Sequence, residues 1–177
     1  MLSIDNIFLF GAVAVAITAA AIDVQQHRIP NRLTYPTMVA GVLLHTYFQG
    51  WRGIKASLMG LLLAGGIVFL FYAVNAMGAG DLKLFAALGA MVGPSYGLKI
   101  VLTSAVAGGI MAIIYALYRG RLRATLVNVG CVLKFHAWAG VQAHPELNLD
   151  NPKAPRMPYG LAIATGTLYT FLVTCWR

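Results

Sequence analysis

Apolar side chains in this chain are gathered into long uncharged runs, and the runs have the length of membrane spans. Such segments cover residues 6–22, 33–51, 56–80, 84–98, 100–118 and 157–176. A helix needs about 20 residues, at about 1.5 Å rise each, to cross the hydrocarbon of a bilayer. The pattern predicts an all-α, polytopic membrane protein with six transmembrane helices. The fourth run is short and is interrupted by Gly93 and Pro94, so a tilted, bent or partly re-entrant helix is expected there. No Lys or Arg precedes the first run, which therefore reads as a permanent helix and not as a cleavable signal peptide.

Composition supports lipid as the solvent. Hydrophobic residues make up 59% of the 177 positions and charged residues 10%, with a mean hydropathy of +0.75. A soluble domain of this size has no interior large enough for so much apolar side chain. The net charge of +8 is read as a topology signal and an attraction to anionic membrane lipids, and not as a nucleic-acid footprint. With the N-terminus outside, the inner side receives Arg28, Arg32, Lys83, Arg119, Arg121, Arg123, Lys134, Lys153 and Arg156, against Arg52, Lys55, Lys99 and Arg177 outside. Asp23 and Asp81 then both lie near the cytoplasmic face.

No repeat or low-complexity tract divides the chain, so residues 1–177 form one integral-membrane domain. Within the polar stretch 119–156, Leu126, Val129, Val132, Leu133 and Trp138 recur at helical spacing around Lys134 and His136, as in a helix lying in the membrane interface. His144 to Pro158 reads as an irregular loop. The Arg119, Arg121 and Arg123 cluster reads as a stop signal for the fifth helix, with a docking site for an acidic residue as the sharper alternative. Cys131 and Cys175 fall on opposite sides of the membrane and are expected to be unbridged, buried small residues.

Five acidic residues are present, and two of them, Asp23 and Asp81, stand at the edges of apolar helices. An ionised carboxylate is costly there and is commonly functional. Taken alone, Asp23 could simply reach headgroup water, and Asp81 could simply cap the helix it begins. Taken together they suggest an acid/base pair. Peptide hydrolysis needs a base for water and an acid for the carbonyl oxygen, and a carboxylate beside a carboxylic acid supplies both without a metal or cofactor. The sequence holds no HExxH, no GxSxG and no evident Cys/His dyad. His45 is expected to hydrogen-bond between helices, Lys83 to extend toward headgroups, and Gly89 with Gly93 to permit close packing.

Three segments resemble the type IV prepilin peptidases, the bacterial branch of the GxGD aspartyl proteases. They are Asp23 with Ile29-Pro30-Asn31, Gly78-Ala79-Gly80-Asp81-Leu82-Lys83-Leu84, and Met157-Pro158-Tyr159-Gly160-Leu161-Ala162-Ile163-Ala164. The resemblance implies that Asp23 and Asp81 are the catalytic pair and that Gly78 and Gly80 shape the loop before the second Asp. It places Ile29, Pro30 and Asn31 on the substrate, together with a helix opened by Pro158, Tyr159 and Gly160. It also implies a pilin or pseudopilin precursor as partner, cleaved after a glycine at the cytoplasmic face of the bacterial inner membrane. The paired CxxC insertion of the larger, methylating members is not found in the sequence, which is similar to the compact Flp (Tad-type) peptidases. Archaeal preflagellin peptidases are similar in size but fit the last segment less well.

Helix polarity divides the pair's roles. Asp81 begins a helix and is expected to be the base, while Asp23 ends one and is expected to be the acid. The rival class is a small transporter or channel subunit using the same carboxylates for protons or cations.

Overall fold

A computed structural model describes residues 4–140, 142 and 157–176. Five α-helices account for the regular structure of these residues: α1 (Ile4–Gln26), α2 (Asn31–Ala73), α3 (Ala79–Tyr118), α4 (Leu122–Ala139) and α5 (Gly160–Cys175). Helices α1, α2 and α3 are each long and apolar enough to cross a membrane, and α5 is a shorter apolar helix.

Both long helices fold back on themselves. Gly50 (φ 57°, ψ −135°) interrupts α2 and Gly93 (φ 79°, ψ 178°) interrupts α3, each in backbone space that favours glycine. In a continuous helix residues 45 and 53 would be about 12 Å apart. Instead, a Cβ placed on Gly53 would collide with the His45 carbonyl oxygen, and one on Gly97 would lie 3.3 Å from Gly89 Cα. Each helix is thus a pair of limbs, 31–49 with 51–73 and 79–92 with 94–118. Among the described residues, α1, these four limbs and α5 make six apolar helical segments, beside the shorter apolar stretch Leu122–Val132 of α4. Two breaks differ from the expected ones, the second run ending at Gly50 instead of Trp51 and the third helix stopping at Ala73 instead of Gly80, whereas the fourth run reverses at Gly93, where an interruption is expected from Gly93 and Pro94. Local chemistry explains each shift, since a positive-φ glycine or the Asn75 cap (φ 57°) ends a helix even within an uncharged run.

The first limb of α3 is the centre of the bundle. Residues 84–93 are buried without exception, which accounts for a short run that is apolar on every side. Both limbs of α2 press glycines against it. A Cβ on Gly41 would lie 2.8 Å from the Ala90 carbonyl, and Gly60 meets Gly89 backbone to backbone. Gly89 therefore serves close packing as expected, whereas Gly93 forms the turn. Pro94 has no N–H, so the Ala90 carbonyl loses its helical donor. The Ser57 hydroxyl replaces that donor at 2.7 Å, and His45 Nε2 similarly donates to the Met91 carbonyl at 3.1 Å. His45 is the interhelical partner expected from the sequence, and its ring also stacks on Phe8 with centroids 4.2 Å apart. Gly89→Ala is expected to destabilise the bundle by about 1–3 kcal/mol through overpacking, lowering the melting temperature in detergent. Gly66→Ala, with nothing within 4 Å, should leave it unchanged.

Helix α4 forms where an interfacial helix was expected, with Leu126, Val127, Val129 and Trp138 exposed. The side chains of Leu133 and His136, and most of the expected loop at 144–158, lie outside the described residues. Cys131 and Cys175 are free, as expected, but both are exposed, because each lies on a helix face that no neighbour among the described residues covers.

Candidate active site

The chain leaves α1 through a left-handed turn at His27 (φ 50°), whose N–H donates to the Asp23 carbonyl at 2.8 Å. The extended backbone at Pro30 (φ −73°, ψ 140°) then starts α2. Asp23 in the last turn of α1 is thereby brought beside the segment that starts α3. Gly78 precedes that helix in extended geometry, and its carbonyl accepts the Leu82 N–H at 3.2 Å. Asp81 consequently sits in the first turn of α3.

A cavity of about 600 Å³ lies between these segments, lined by Asp23, Ile29, Pro30, Asn31, Gly78, Gly80 and Asp81, with Gln26, His27, Arg28 and Lys83 among the remaining walls. The two carboxylates interact electrostatically across it. Asp23 is buried and Asp81 half-buried. Gly80 packs on Ile29, where a Cβ would come within 3.2 Å of the Ile29 Cβ. This contact joins the two halves of the cavity wall.

Lys83, expected to extend toward headgroups, has partners within the protein. Its Nζ donates to Asn31 Oδ1 at 3.0 Å and lies 5.5 Å from the Tyr35 ring centroid. An ammonium with an acceptor and an aromatic face nearby is held in place, and here it ties the start of α2 to the first turn of α3.

Pro158, Tyr159 and Gly160 do not line this cavity. Gly160 stands behind it, its N–H donating to Asp23 Oδ2 at 2.9 Å. The Tyr159 hydroxyl donates to the Ser104 carbonyl at 3.4 Å, and Pro158 lines a separate apolar depression with Met111, Ile114 and Tyr118. Asp81 also accepts a backbone hydrogen bond, from Gly78. Helix polarity alone therefore no longer separates the two carboxylates, since each is served by a backbone donor. The residues lining the cavity that sequence reasoning did not assign to the site are Gln26, His27, Arg28, Ala79 and Lys83. Their only signal was adjacency to the segments that carry Asp23 and Asp81.

Comparison with known proteins identifies the family. The model of the type IV leader peptidase family matches residues 10–113. The chain is similar to a prepilin leader peptidase/N-methyltransferase of Burkholderia pseudomallei (strain 1026b), 36% identical over 120 residues that cover 64% of this chain and 38% of the relative. The protein of the same name from Xanthomonas campestris pv. campestris is 30% identical over 138 residues, covering 73% and 48% respectively. For that of Legionella pneumophila the figures are 32% over 134 residues, 72% and 47%. The chain thus spans less than half the length of these relatives. No solved structure matches it. The matched segment contains both carboxylates, the Ile29-Pro30-Asn31 turn and the glycines before Asp81, and the chain belongs to the type IV leader peptidase family.

Proposed function

We propose that the chain is a membrane-embedded aspartic endopeptidase that removes the leader from type IV, Flp-like pilin precursors at the cytoplasmic face of a bacterial inner membrane. The observation that carries this reading is the meeting of Asp23 and Asp81 at one cavity in a chain of the leader peptidase family. Like charges held close together cannot both ionise cheaply, so the pair holds one proton between them. The carboxylate removes a proton from water as the oxygen attacks the scissile carbonyl carbon, and the carboxylic acid protonates the carbonyl oxygen. Collapse of the tetrahedral species breaks the C–N bond, with a proton passed to the departing amine. The leader leaves with a new carboxyl terminus and the mature pilin with a new amino terminus. An extended substrate backbone would lie in the cavity that Gly78, Gly80 and Asp81 line together with Ile29, Pro30 and Asn31, Gly80 allowing Ile29 to pack closely beside the second carboxylate.

In this reading the six apolar segments are six spans with the N-terminus outside. The reversals at Gly50 and Gly93 face outward, and the cavity faces the basic, cytoplasmic side. Pro158, Tyr159 and Gly160 support the site from behind.

The test is direct. Purified protein in detergent is incubated with an Flp-like pilin precursor, and intact mass spectrometry is expected to show a product shortened by the leader after a glycine. An intact precursor, together with carboxylate-dependent proton or cation flux in proteoliposomes, would favour the transporter class instead.

A further inference from the structure

Helix α5 reaches the carboxylate pair with its first turn alone. Gly160 is the first residue of that helix, so its N–H has no carbonyl partner within the helix. It donates instead to Asp23 Oδ2 at 2.9 Å in a buried contact. A Cβ at position 160 would lie 3.0 Å from both Cβ and Oδ2 of Asp23 and 3.2 Å from the Ala20 Cα, so the amide comes this close because residue 160 has no side chain.

The preceding residue sets how far α5 advances. The Tyr159 ring lies against Gly108 on the second limb of α3, where a Cβ would come 2.6 Å from Tyr159 Cε2, and its hydroxyl meets the Ser104 carbonyl. Two turns further along, the backbone of Gly166 packs on Ser104. Tyr159 and Gly160 therefore act as adjacent keys, one seated on α3 and the other on α1.

We propose that Gly160 is a positioning residue for Asp23, its backbone N–H fixing the carboxylate orientation in which Asp23 shares a proton with Asp81. The proposal rests on the reading of Asp23 as catalytic. Oδ2 is engaged by a fixed donor from a helix N-terminus, so the Asp23 carboxylate cannot turn without breaking a buried, charge-assisted hydrogen bond. Among the described residues, the other titratable or charged groups near the pair are Lys83 from α3, His27 and Arg28 from the turn after α1, and Tyr159 itself.

The decisive variant removes the N–H and adds no atoms. Glycolic acid incorporated at position 160 in the full-length protein replaces that amide with an ester. The equivalent ester at Leu161, whose N–H bonds to the Pro158 carbonyl at 3.3 Å, serves as control for weakening the same turn. The expected result at position 160 is a fall in kcat of roughly ten- to a hundredfold, with KM within about twofold and a displaced limb of the pH–rate profile. The Leu161 ester should change kcat by less than about threefold and leave the profile in place. Gly160→Ala, which pushes the helix from Asp23, should reproduce the loss of kcat and the displaced profile. Equal effects of the two esters, a change confined to KM, or an unmoved pH profile in both position-160 variants would overturn the proposal. Asp23→Asn separates the two levels of inference. Activity surviving that substitution refutes the catalytic reading, whereas an inactive Asp23→Asn beside a fully active position-160 ester refutes only the positioning role.

Discussion

Asp23→Asn and Asp81→Asn are each expected to lower precursor cleavage by roughly 10²–10⁴-fold while the protein still inserts and keeps its fold. An amide can neither take a proton from water nor deliver one to a carbonyl oxygen at neutral pH, yet it matches the carboxylate in size. The Gly160 contact survives Asp23→Asn, because the side-chain carbonyl of an asparagine still accepts an N–H. Combining the two substitutions should add little to either alone, since groups that act as a unit are not additive. Asp5→Asn is the control. Asp5 lies 18 positions before Asp23 on α1, about 27 Å away along the helix axis, and the change should leave cleavage at the wild-type rate. Product formation is measured by intact mass and folding by melting temperature in detergent. Near wild-type processing by either site variant would remove the dyad from the mechanism.

The second large effect concerns substrate register. The cavity lined by Asp23 and Asp81 is formed where α1 ends and α3 begins, so its depth relative to the apolar segments is set by the fold and not by a mobile loop. A precursor anchored by its own apolar helix presents one bond at that depth. Inserting or deleting four residues between the scissile bond and the precursor helix moves the bond by about one turn, roughly 5.4 Å. Processing of both variants is expected to fall at least about tenfold, a near-attack geometry being lost over about 1 Å. Equal cleavage of shifted and native precursors, followed by quantitative immunoblotting, would show a site that does not measure distance from the membrane. A precursor whose leader is placed outside should not be processed at all.

Much of this arrangement was legible before any coordinates, because a membrane imposes a simple rule on sequence. Uncharged runs of span length announced the helices, and the cost of a carboxylate at the edge of such a run singled out Asp23 and Asp81. Gly78 and Gly80 were legible for a related reason, as glycines immediately before a helix-starting acid. The boundaries were less legible. Hydropathy counts charges, whereas helices end where backbone dihedrals change. Gly50 and Asn75 therefore ended helices inside runs that hydropathy read as continuous, whereas the break at Gly93 was marked by Gly93 and Pro94 themselves. Lys83 shows the limit for side chains: composition offers it headgroup water, and only the fold brings Asn31 and Tyr35 within its reach.

By itself the sequence carried the span-length apolar runs, the helical class, the two carboxylates at the edges of those runs and the family likeness, since each depends on local composition or on a short contiguous motif. Tertiary structure alone decided which surfaces meet. It set the short, fully apolar stretch 84–92 of the first α3 limb at the centre, with the glycines of α2 against it. It supplied Ser57 and His45 to the carbonyls near Pro94, and it aimed the amide of Gly160 at Asp23 across 137 positions of chain. A backbone N–H carries no mark in the sequence of where it will point. Its direction follows from helix packing, and packing is fixed by the sum of many contacts between segments distant in the chain.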